Sequence, residues 1–304
     1  MRLLRGLVSV VIAFHTAALT AQSVAPSDSN LVFANVGNAA LLMDVYRPAR
    51  SNGLGILFIS GSGWGGGASY THGYDDRPLK DDAKDRDSFE GRLVQELASR
   101  GFTVFAINHR FAPEVRFPLP VYDAQRAVRF VRANASRYGI DPAHLGAIGH
   151  SSGGHLAAML GLLDTTIVEP KPHPYQQGSS RVQAVVTISA PFVVTEVLLT
   201  RPGMPRIISN LMGPLPAPTA AGTLPLEGEF AAASPLTRVT AQSAPFLIYQ
   251  AENDSTVLKS SAPMMAKALD RVGVPHRVVM RANGGHYPDI DLDEIEAWFK
   301  KYLR

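Results

Sequence analysis

A serine flanked by glycines stands near the middle of the chain, in the segment Gly149-His150-Ser151-Ser152-Gly153. An apolar strand pattern precedes this segment and an amphipathic helix pattern follows it. A serine on a tight turn between a strand and a helix has its hydroxyl lifted clear of the sheet, and the residues two positions away must be nearly free of side chains. Ser151 is therefore the predicted nucleophile of an acyl-transfer reaction.

A serine hydroxyl is a weak nucleophile and needs a base to take its proton. His286 stands in a glycine-containing loop after the last predicted strand, from which its ring can reach the edge of the sheet. The base needs an orienting acid, and Asp254 follows the preceding strand, with Glu252 as the alternative acid. The order Ser151, Asp254, His286 along the chain is the one expected for a strand–turn–helix nucleophile. Asp123, at a predicted helix entry, is interpreted as a helix cap.

A glycine-rich segment, residues 60–67, follows the third predicted strand. Backbone N–H groups in such a loop can stabilise the oxygen that becomes negative during acyl transfer. We predict an oxyanion hole in which the donors are the N–H groups of Ser62, Gly63 and Ser152. Trp64, in the same loop, is a candidate contact for substrate, and packing in the core is the alternative for this side chain.

The composition excludes several other functions. The chain has 304 residues with 29 Lys and Arg against 26 Asp and Glu, and a net charge of +3 does not indicate a nucleic-acid partner. Cysteine is absent, which excludes disulfides, thiolate metal sites and a cysteine nucleophile. The chain has neither a phosphate-binding loop with a Gly-Lys pair nor a zinc-binding helix motif, so no metal and no cofactor are predicted.

The elements that must position these residues alternate between apolar strands and helices. Strands are predicted at 31–35, 40–46, 54–60, 103–108, 145–150, 182–189, 245–251 and 276–280, and helices at 89–100, 122–138, 153–163, 262–272 and 290–303. The alternation predicts an α/β fold in which an antiparallel hairpin opens a mostly parallel sheet that has helices on both faces. The proline-rich residues 191–233 interrupt the alternation and are predicted to form a small cap or lid, with a plain loop as the alternative.

The N-terminal residues 1–21 have the pattern of a secretory signal peptide. Arg2 and Arg5 precede an apolar run from Leu7 to Leu19, and Ala21 is a small residue before a cleavage point. The run is shorter than the roughly 20 residues that a membrane-spanning helix needs. We therefore expect no stable membrane insertion, a catalytic domain over residues 22–304, and a secreted or periplasmic protein. A buried N-terminal helix is the alternative.

Several segments of the chain match one known superfamily. They are Leu42–Pro48, Ser60–Trp64, Arg110–Glu114, Phe117–Pro118, Tyr138–Pro142 and Ala233–Leu236. Through them the chain resembles the α/β-hydrolases and, among these, the secreted bacterial esterases near acetylxylan and feruloyl esterases and the hormone-sensitive-lipase-like branch. Two departures lie in the loop where the family has His-Gly-Gly-Gly-Trp: Ser60 replaces the histidine and Ser62 replaces the second glycine. These departures concern the hydrogen bonds that anchor the loop rather than its backbone donors.

The resemblance implies a serine carboxylic ester hydrolase that works through an acyl-enzyme. The implied substrates are short-chain or aryl esters, either small molecules or acetyl and feruloyl groups on polysaccharides. Alternatives with the same fold are a prolyl-oligopeptidase-like peptidase, a formamidase or lactonase, and a non-catalytic adhesion module. The peptidases usually carry a large N-terminal domain for which residues before Ser151 leave no room, and the adhesion modules usually lose the nucleophile, which is present here.

Overall fold

The computed structural model describes residues 26–37, 39–65, 88–164, 178–195, 203–217 and 225–304. Within these ranges the chain forms one eight-stranded sheet. The strands are β1 (Asp28–Val36), β2 (Ala39–Tyr46), β3 (Gly55–Ile59), β4 (Thr103–Ile107), β5 (Leu145–His150), β6 (Ala184–Ile188), β7 (Phe246–Ala251) and β8 (His276–Arg281). Strands β3 to β7 are buried along their whole length, which explains why their sequences consist mainly of apolar and small residues, with His150 in β5 and Gln250 in β7 as exceptions.

The spatial order of the strands is β1-β2-β4-β3-β5-β6-β7-β8. β1 pairs with β2 and β2 pairs with β4 in antiparallel fashion, and all later pairings are parallel. The parallel strands therefore end at the same edge of the sheet, and the loops that leave β3, β5, β7 and β8 meet there. β5, which leads to Ser151, lies between β3 and β6 in the middle of this edge.

Helices cover both faces of the sheet. In the described ranges they are α1 (Phe89–Ser99), α2 (Leu119–Ala133), α3 (Ala135–Tyr138), α4 (Ser151–Leu162), α5 (Met204–Met212), α6 (Gly228–Ala233), α7 (Ser261–Arg271) and α8 (Leu292–Tyr302), with a 3₁₀ turn at Pro235–Arg238. α1 and α8 pack on one face, where Leu97 and Phe299 belong to the same apolar cluster. α2, α4 and α7 pack on the other face, where Val128, Leu156 and Met265 are buried together.

The predicted fold class is confirmed, including the opening antiparallel hairpin. The helical segment predicted over 122–138 is in fact two helices, because α2 begins earlier, at Leu119, and a break at Asn134 separates it from α3. The described parts of 191–233 contain α5 and α6, and the role of this insertion as a cap stays a prediction. The predicted signal peptide lies outside the described residues. Among the helices that the structure describes, none has the length and apolar character needed to cross a membrane.

Asp123 is not the helix cap that its position in the sequence indicated. α2 begins four residues before it, so Asp123 lies within the helix and points into the protein, where it is fully buried. Its Oδ1 accepts from the guanidinium of Arg126 at 2.6 Å and from Arg110 at 2.8 Å, and its Oδ2 accepts from the backbone and side chain of Arg110. This buried carboxylate therefore fixes the segment after β4 onto α2.

Replacing Asp123 with asparagine keeps the size of the side chain but removes the charge that compensates two largely buried guanidinium groups. We expect Asp123→Asn to lower the free energy of unfolding by about 3 kcal/mol, since breaking a buried ion pair leaves an uncompensated charge. Urea unfolding measures this value. The control is Asp270→Asn at a mostly exposed carboxylate, where a change within about 0.5 kcal/mol is expected. A loss below about 1 kcal/mol for Asp123→Asn would contradict the structural role.

Candidate active site

Ser151 lies at the junction of β5 and α4 in a strained backbone conformation. Its φ is +54°, in the left-handed region that side chains other than glycine rarely adopt. The turn is so tight that a Cβ at Gly153 would lie 2.0 Å from the carbonyl oxygen of Ile59, and a Cβ at Gly149 would lie 2.4 Å from the carbonyl of Gly153. Both glycines are therefore required by close backbone contacts, which is the geometry predicted for a nucleophile turn.

His286 contacts both Ser151 and Asp254. Its Nε2 lies 2.8 Å from Ser151 Oγ, and its Nδ1 lies 3.0 Å from Asp254 Oδ2. An ionised carboxylate only accepts hydrogen bonds, so Nδ1 carries the hydrogen and Nε2 accepts from the serine hydroxyl. The alternative acid, Glu252, is exposed at the end of β7, and its backbone N–H donates to the backbone carbonyl of Arg281. The arrangement can thus move a proton from Ser151 to His286.

Asp254 is held ionised by its surroundings. Its Oδ1 accepts from the backbone N–H groups of Thr256 at 2.7 Å and Val257 at 3.0 Å, and its Oδ2 accepts from the side-chain amide of Gln250 at 3.1 Å. Burial by itself would raise the pKa of this carboxyl. The hydrogen bond and charge of His286, together with the two backbone donors, outweigh burial and leave the pKa of Asp254 below its ordinary value.

Two polar residues that the sequence analysis did not single out stabilise the acid and base loops. Gln250, buried in the otherwise apolar β7, donates to Asp254, and its polar side chain in that strand was the available signal. Asn253 accepts from the backbone N–H of Gly285 at 2.9 Å, which joins the loop of Asp254 to the loop of His286. The distance between acid and base is therefore fixed by two loops bound to each other.

The loop after β3 lies against the nucleophile turn, but one predicted donor is already engaged. The N–H of Ser62 donates to the side-chain hydroxyl of Ser152 at 2.8 Å rather than into the site, which differs from its predicted oxyanion role. The N–H of Gly61 donates to Glu90 at 2.8 Å. These two bonds anchor the loop, in which Ser60 stands where the proteins that the sequence resembles have a histidine. Of the predicted donors, Gly63 and Ser152 keep backbone N–H groups for which the described residues show no acceptor.

Trp64 is buried and does not form an exposed wall of the site. The residue is 2% exposed, and its indole N–H donates to Nδ1 of His155 at 3.1 Å. Because the indole can only donate, the other ring nitrogen of His155 carries the hydrogen and donates to the carbonyl of Ala233 at 2.7 Å. Burial lowers the pKa of His155 to about 4, so the ring is neutral at physiological pH. This placement favours core packing, the alternative interpretation of Trp64, over contact with substrate.

No arrangement for a metal ion is present in the ranges that the structure describes: no group of three or more His, Cys, Asp or Glu side chains could hold one.

Comparison with known proteins places this chain in a family. The family model described as BD-FAE matches residues 43–269. The probable carboxylic ester hydrolase LipM of Mycobacterium tuberculosis is 30% identical over 167 residues, which are 54% of this chain and 37% of that protein. Endo-1,4-beta-xylanase B of Butyrivibrio fibrisolvens is 29% identical over 212 residues, which are 68% of this chain and 31% of that protein. The chain thus spans about a third of the length of these two curated relatives.

The fold has close counterparts among solved structures. A truncated form of a carbohydrate esterase from gut microbiota superposes with a TM-score of 0.73 at 23% sequence identity, and the match covers 92% of this chain and 97% of that one. Similarity at this level of identity shows a shared fold, which is the α/β-hydrolase fold.

The buried His155 makes a testable contribution to the pH dependence of stability. The unfolded chain takes up a proton on this residue near pH 6.5, whereas the folded protein does so only near pH 4. The contribution of the neutral His155 ring to the free energy of unfolding is therefore complete above about pH 6.5 and is lost as the pH falls toward 4.

The variant His155→Gln can make both hydrogen bonds and does not titrate. Between pH 7 and pH 4 the native protein should lose about 3 kcal/mol more unfolding free energy than this variant.

Urea unfolding at several pH values measures the difference between the two proteins. His144→Gln, at a partly exposed imidazole, is the matched control and should follow the native protein. Parallel pH profiles for the native protein and His155→Gln would show that His155 is not the group responsible.

Proposed function

Because the chain belongs to the BD-FAE family of α/β-hydrolases, we propose that it is a carboxylic ester hydrolase that works through an acyl-enzyme on Ser151. The observation that carries this proposal is the pair of hydrogen bonds made by His286, one to the Ser151 hydroxyl and one to Asp254. In this arrangement a buried carboxylate contacts an imidazole, and the imidazole contacts a serine hydroxyl. Such a triad activates the serine for attack on a carbonyl.

In the first half of the proposed reaction, Ser151 Oγ attacks the ester carbonyl while its proton passes to His286 Nε2. The positive charge that forms on the imidazole is stabilised by Asp254, whose low pKa keeps it ionised. The protonated His286 then gives its proton to the leaving alcohol, and the acyl group remains on Ser151. In the second half, His286 takes a proton from water and the resulting hydroxide attacks the acyl carbon. The bond between the acyl carbon and Ser151 Oγ then breaks, Oγ takes the proton back from His286, and the carboxylic acid is released.

The negative oxygen of the tetrahedral intermediate needs backbone donors. We assign this role to the N–H groups of Gly63 and Ser152, since the N–H of Ser62 already donates to the Ser152 hydroxyl. Ser152 lies in the first turn of α4, where backbone N–H groups have no partner within the helix and where the helix dipole favours negative charge. The Ser152 side chain positions the loop that carries Gly63, and its backbone stabilises the intermediate.

The proposed substrates are short-chain or aryl esters, such as acetyl or feruloyl groups on polysaccharides. One matched relative is named as a carboxylic ester hydrolase and another as an endo-1,4-beta-xylanase, which supports an ester group carried by a polysaccharide such as xylan. We also propose that residues 1–21 direct export, on the basis of their two arginines and the apolar run that follows, and that residues 191–233 form a cap over the site.

The decisive experiment compares the native protein with Ser151→Ala on a panel of substrates. The panel contains nitrophenyl esters from acetate to palmitate, acetylated xylan, methyl ferulate, a lactone, N-formylkynurenine and dipeptide anilides. We expect turnover of the short-chain or aryl esters and a loss of about a million-fold in kcat for Ser151→Ala, since removing the nucleophile of such a triad has this effect. A fluorophosphonate probe should label the native protein and not the variant.

The panel also separates the alternatives. Turnover of the anilides without the esters would replace the proposal with a peptidase, and preference for the formamide or the lactone would replace it with those activities. Absence of both turnover and labelling would indicate a non-catalytic module.

The role of the Ser152 hydroxyl is tested separately. Ser152→Ala keeps the backbone donor but removes the bond that holds the N–H of Ser62, so the loop carrying Gly63 becomes less well positioned. We expect kcat for the acetate ester to fall about fivefold with little change in KM, in line with the loss of one neutral hydrogen bond. Ser99→Ala, at an exposed serine of α1, is the control. An unchanged kcat for Ser152→Ala would contradict the proposed anchoring of the loop.

A further inference from the structure

A second histidine and carboxylate lie next to the proposed catalytic residues, and both are buried. His150 immediately precedes Ser151, and Glu90 is in the first turn of α1. The side chains are 2% and 6% exposed, and His150 Nδ1 lies 3.1 Å from Glu90 Oε1. The catalytic steps proposed above do not use either residue. Burying ionisable groups costs free energy even when they are paired, so the position of this pair beside the catalytic residues calls for an explanation.

The partners of the His150 ring assign its hydrogens. Its Nε2 lies 2.8 Å from the backbone carbonyl of His286, and a carbonyl only accepts, so Nε2 donates. On the other side, Glu90 Oε1 accepts from the N–H of Gly61 at 2.8 Å and also faces His150 Nδ1. Both contacts are satisfied when one proton lies between Oε1 and Nδ1. Whichever of the two atoms holds that proton, the pair has no net charge.

This pair joins three segments whose relative positions must be fixed for the reaction. Glu90 binds the loop after β3 through Gly61, and His150 is part of the nucleophile turn and binds the loop of His286. The contact is close, since a Cβ at Gly61 would lie 2.8 Å from His150 Nδ1 and 2.8 Å from Ser151 Cβ. Tyr287 stacks on the His150 ring at 4.6 Å between ring centroids, so the ring is also held from outside.

We propose that Glu90 and His150 are positioning residues for the ester hydrolysis proposed above, and this inference rests on that function. The pair fixes the main chain of the His286 loop and of the loop that carries Gly63 relative to Ser151. It therefore acts through the base and the oxyanion donors and makes no contact with substrate. Its loss should slow the chemical step while leaving substrate binding nearly unchanged, because a displacement of about 1 Å at a reacting group can lower the rate about 100-fold.

The test uses Glu90→Gln, His150→Phe and the double variant, with the acetate ester as substrate. Glu90→Gln has the same shape, but an amide oxygen that accepts from Gly61 cannot share a proton with His150. His150→Phe keeps an aromatic ring against Tyr287 and loses both hydrogen bonds. Each single variant should lower kcat about 10- to 100-fold with KM within about threefold of the native value, and labelling by a fluorophosphonate should slow in parallel.

The double variant distinguishes a pair from two independent residues. In His150→Phe the carboxylate of Glu90 loses its contact with the His150 ring, and Glu90→Gln in that background removes the buried charge while keeping an acceptor for Gly61. We therefore expect the double variant to be no more than about twofold slower than His150→Phe alone, whereas independent effects would multiply. Glu96→Gln, at a partly exposed carboxylate of the same helix, is the control and should resemble the native protein.

Three results would overturn the positioning role in an active native enzyme: folded variants with kcat within threefold of native, losses confined to KM, or losses that multiply in the double variant. Should His150→Phe not fold, the isosteric Glu90→Gln decides the question by its kcat and labelling rate. A native protein that neither hydrolyses esters nor reacts with the probe would overturn the proposed function, and the positioning role with it.

Discussion

The close approach of the nucleophile turn to the end of β3 is the constraint on which the rest of the site depends. The backbone of Gly153 packs against the carbonyl of Ile59 with no space for a methyl group, and a Cβ at Gly61 would lie 2.8 Å from Ser151 Cβ. Because the main chains touch, the loop after β3 and the first turn of α4, which carry the proposed donors Gly63 and Ser152, lie next to Ser151. A larger residue at either glycine would move the donors away from the nucleophile.

Within this edge of the sheet, the loops are held mainly by one another. Asn253 binds the backbone of Gly285, Ser152 binds the backbone of Ser62, and His150 binds the backbone of His286. In each case a side chain from one loop or turn satisfies a main-chain group of another. Loops held in this way keep Asp254 and His286 at fixed distances from Ser151, which suits a reaction that requires several groups to converge on one carbon atom.

Sequence patterns predicted the sheet well because its strands are apolar runs between turn signals, and each strand lies within three residues of its predicted bounds. They also selected Ser151, Asp254 and His286, since the glycine spacing and the chain order carry that information. They could not assign the N–H of Ser62 to the Ser152 hydroxyl or pair Glu90 with His150, because these contacts join residues 90 and 60 positions apart. The sequence predicted Asp123 to be a helix cap because it did not show that α2 begins at Leu119, four residues earlier, which places Asp123 within the helix and turns its side chain inward.

The hydrogen bond from His155 to the carbonyl of Ala233 has a consequence for how this protein can be altered. The acceptor is a main-chain atom, so the amino acid at position 233 can change, within the limits of its buried position, without losing the link to Trp64. The segment that ends there could therefore diverge widely among homologous proteins, or be exchanged between them by protein engineers, provided that its backbone returns to the same point above α4. Selection on such a segment would act on its path and length rather than on the identity of its final residue.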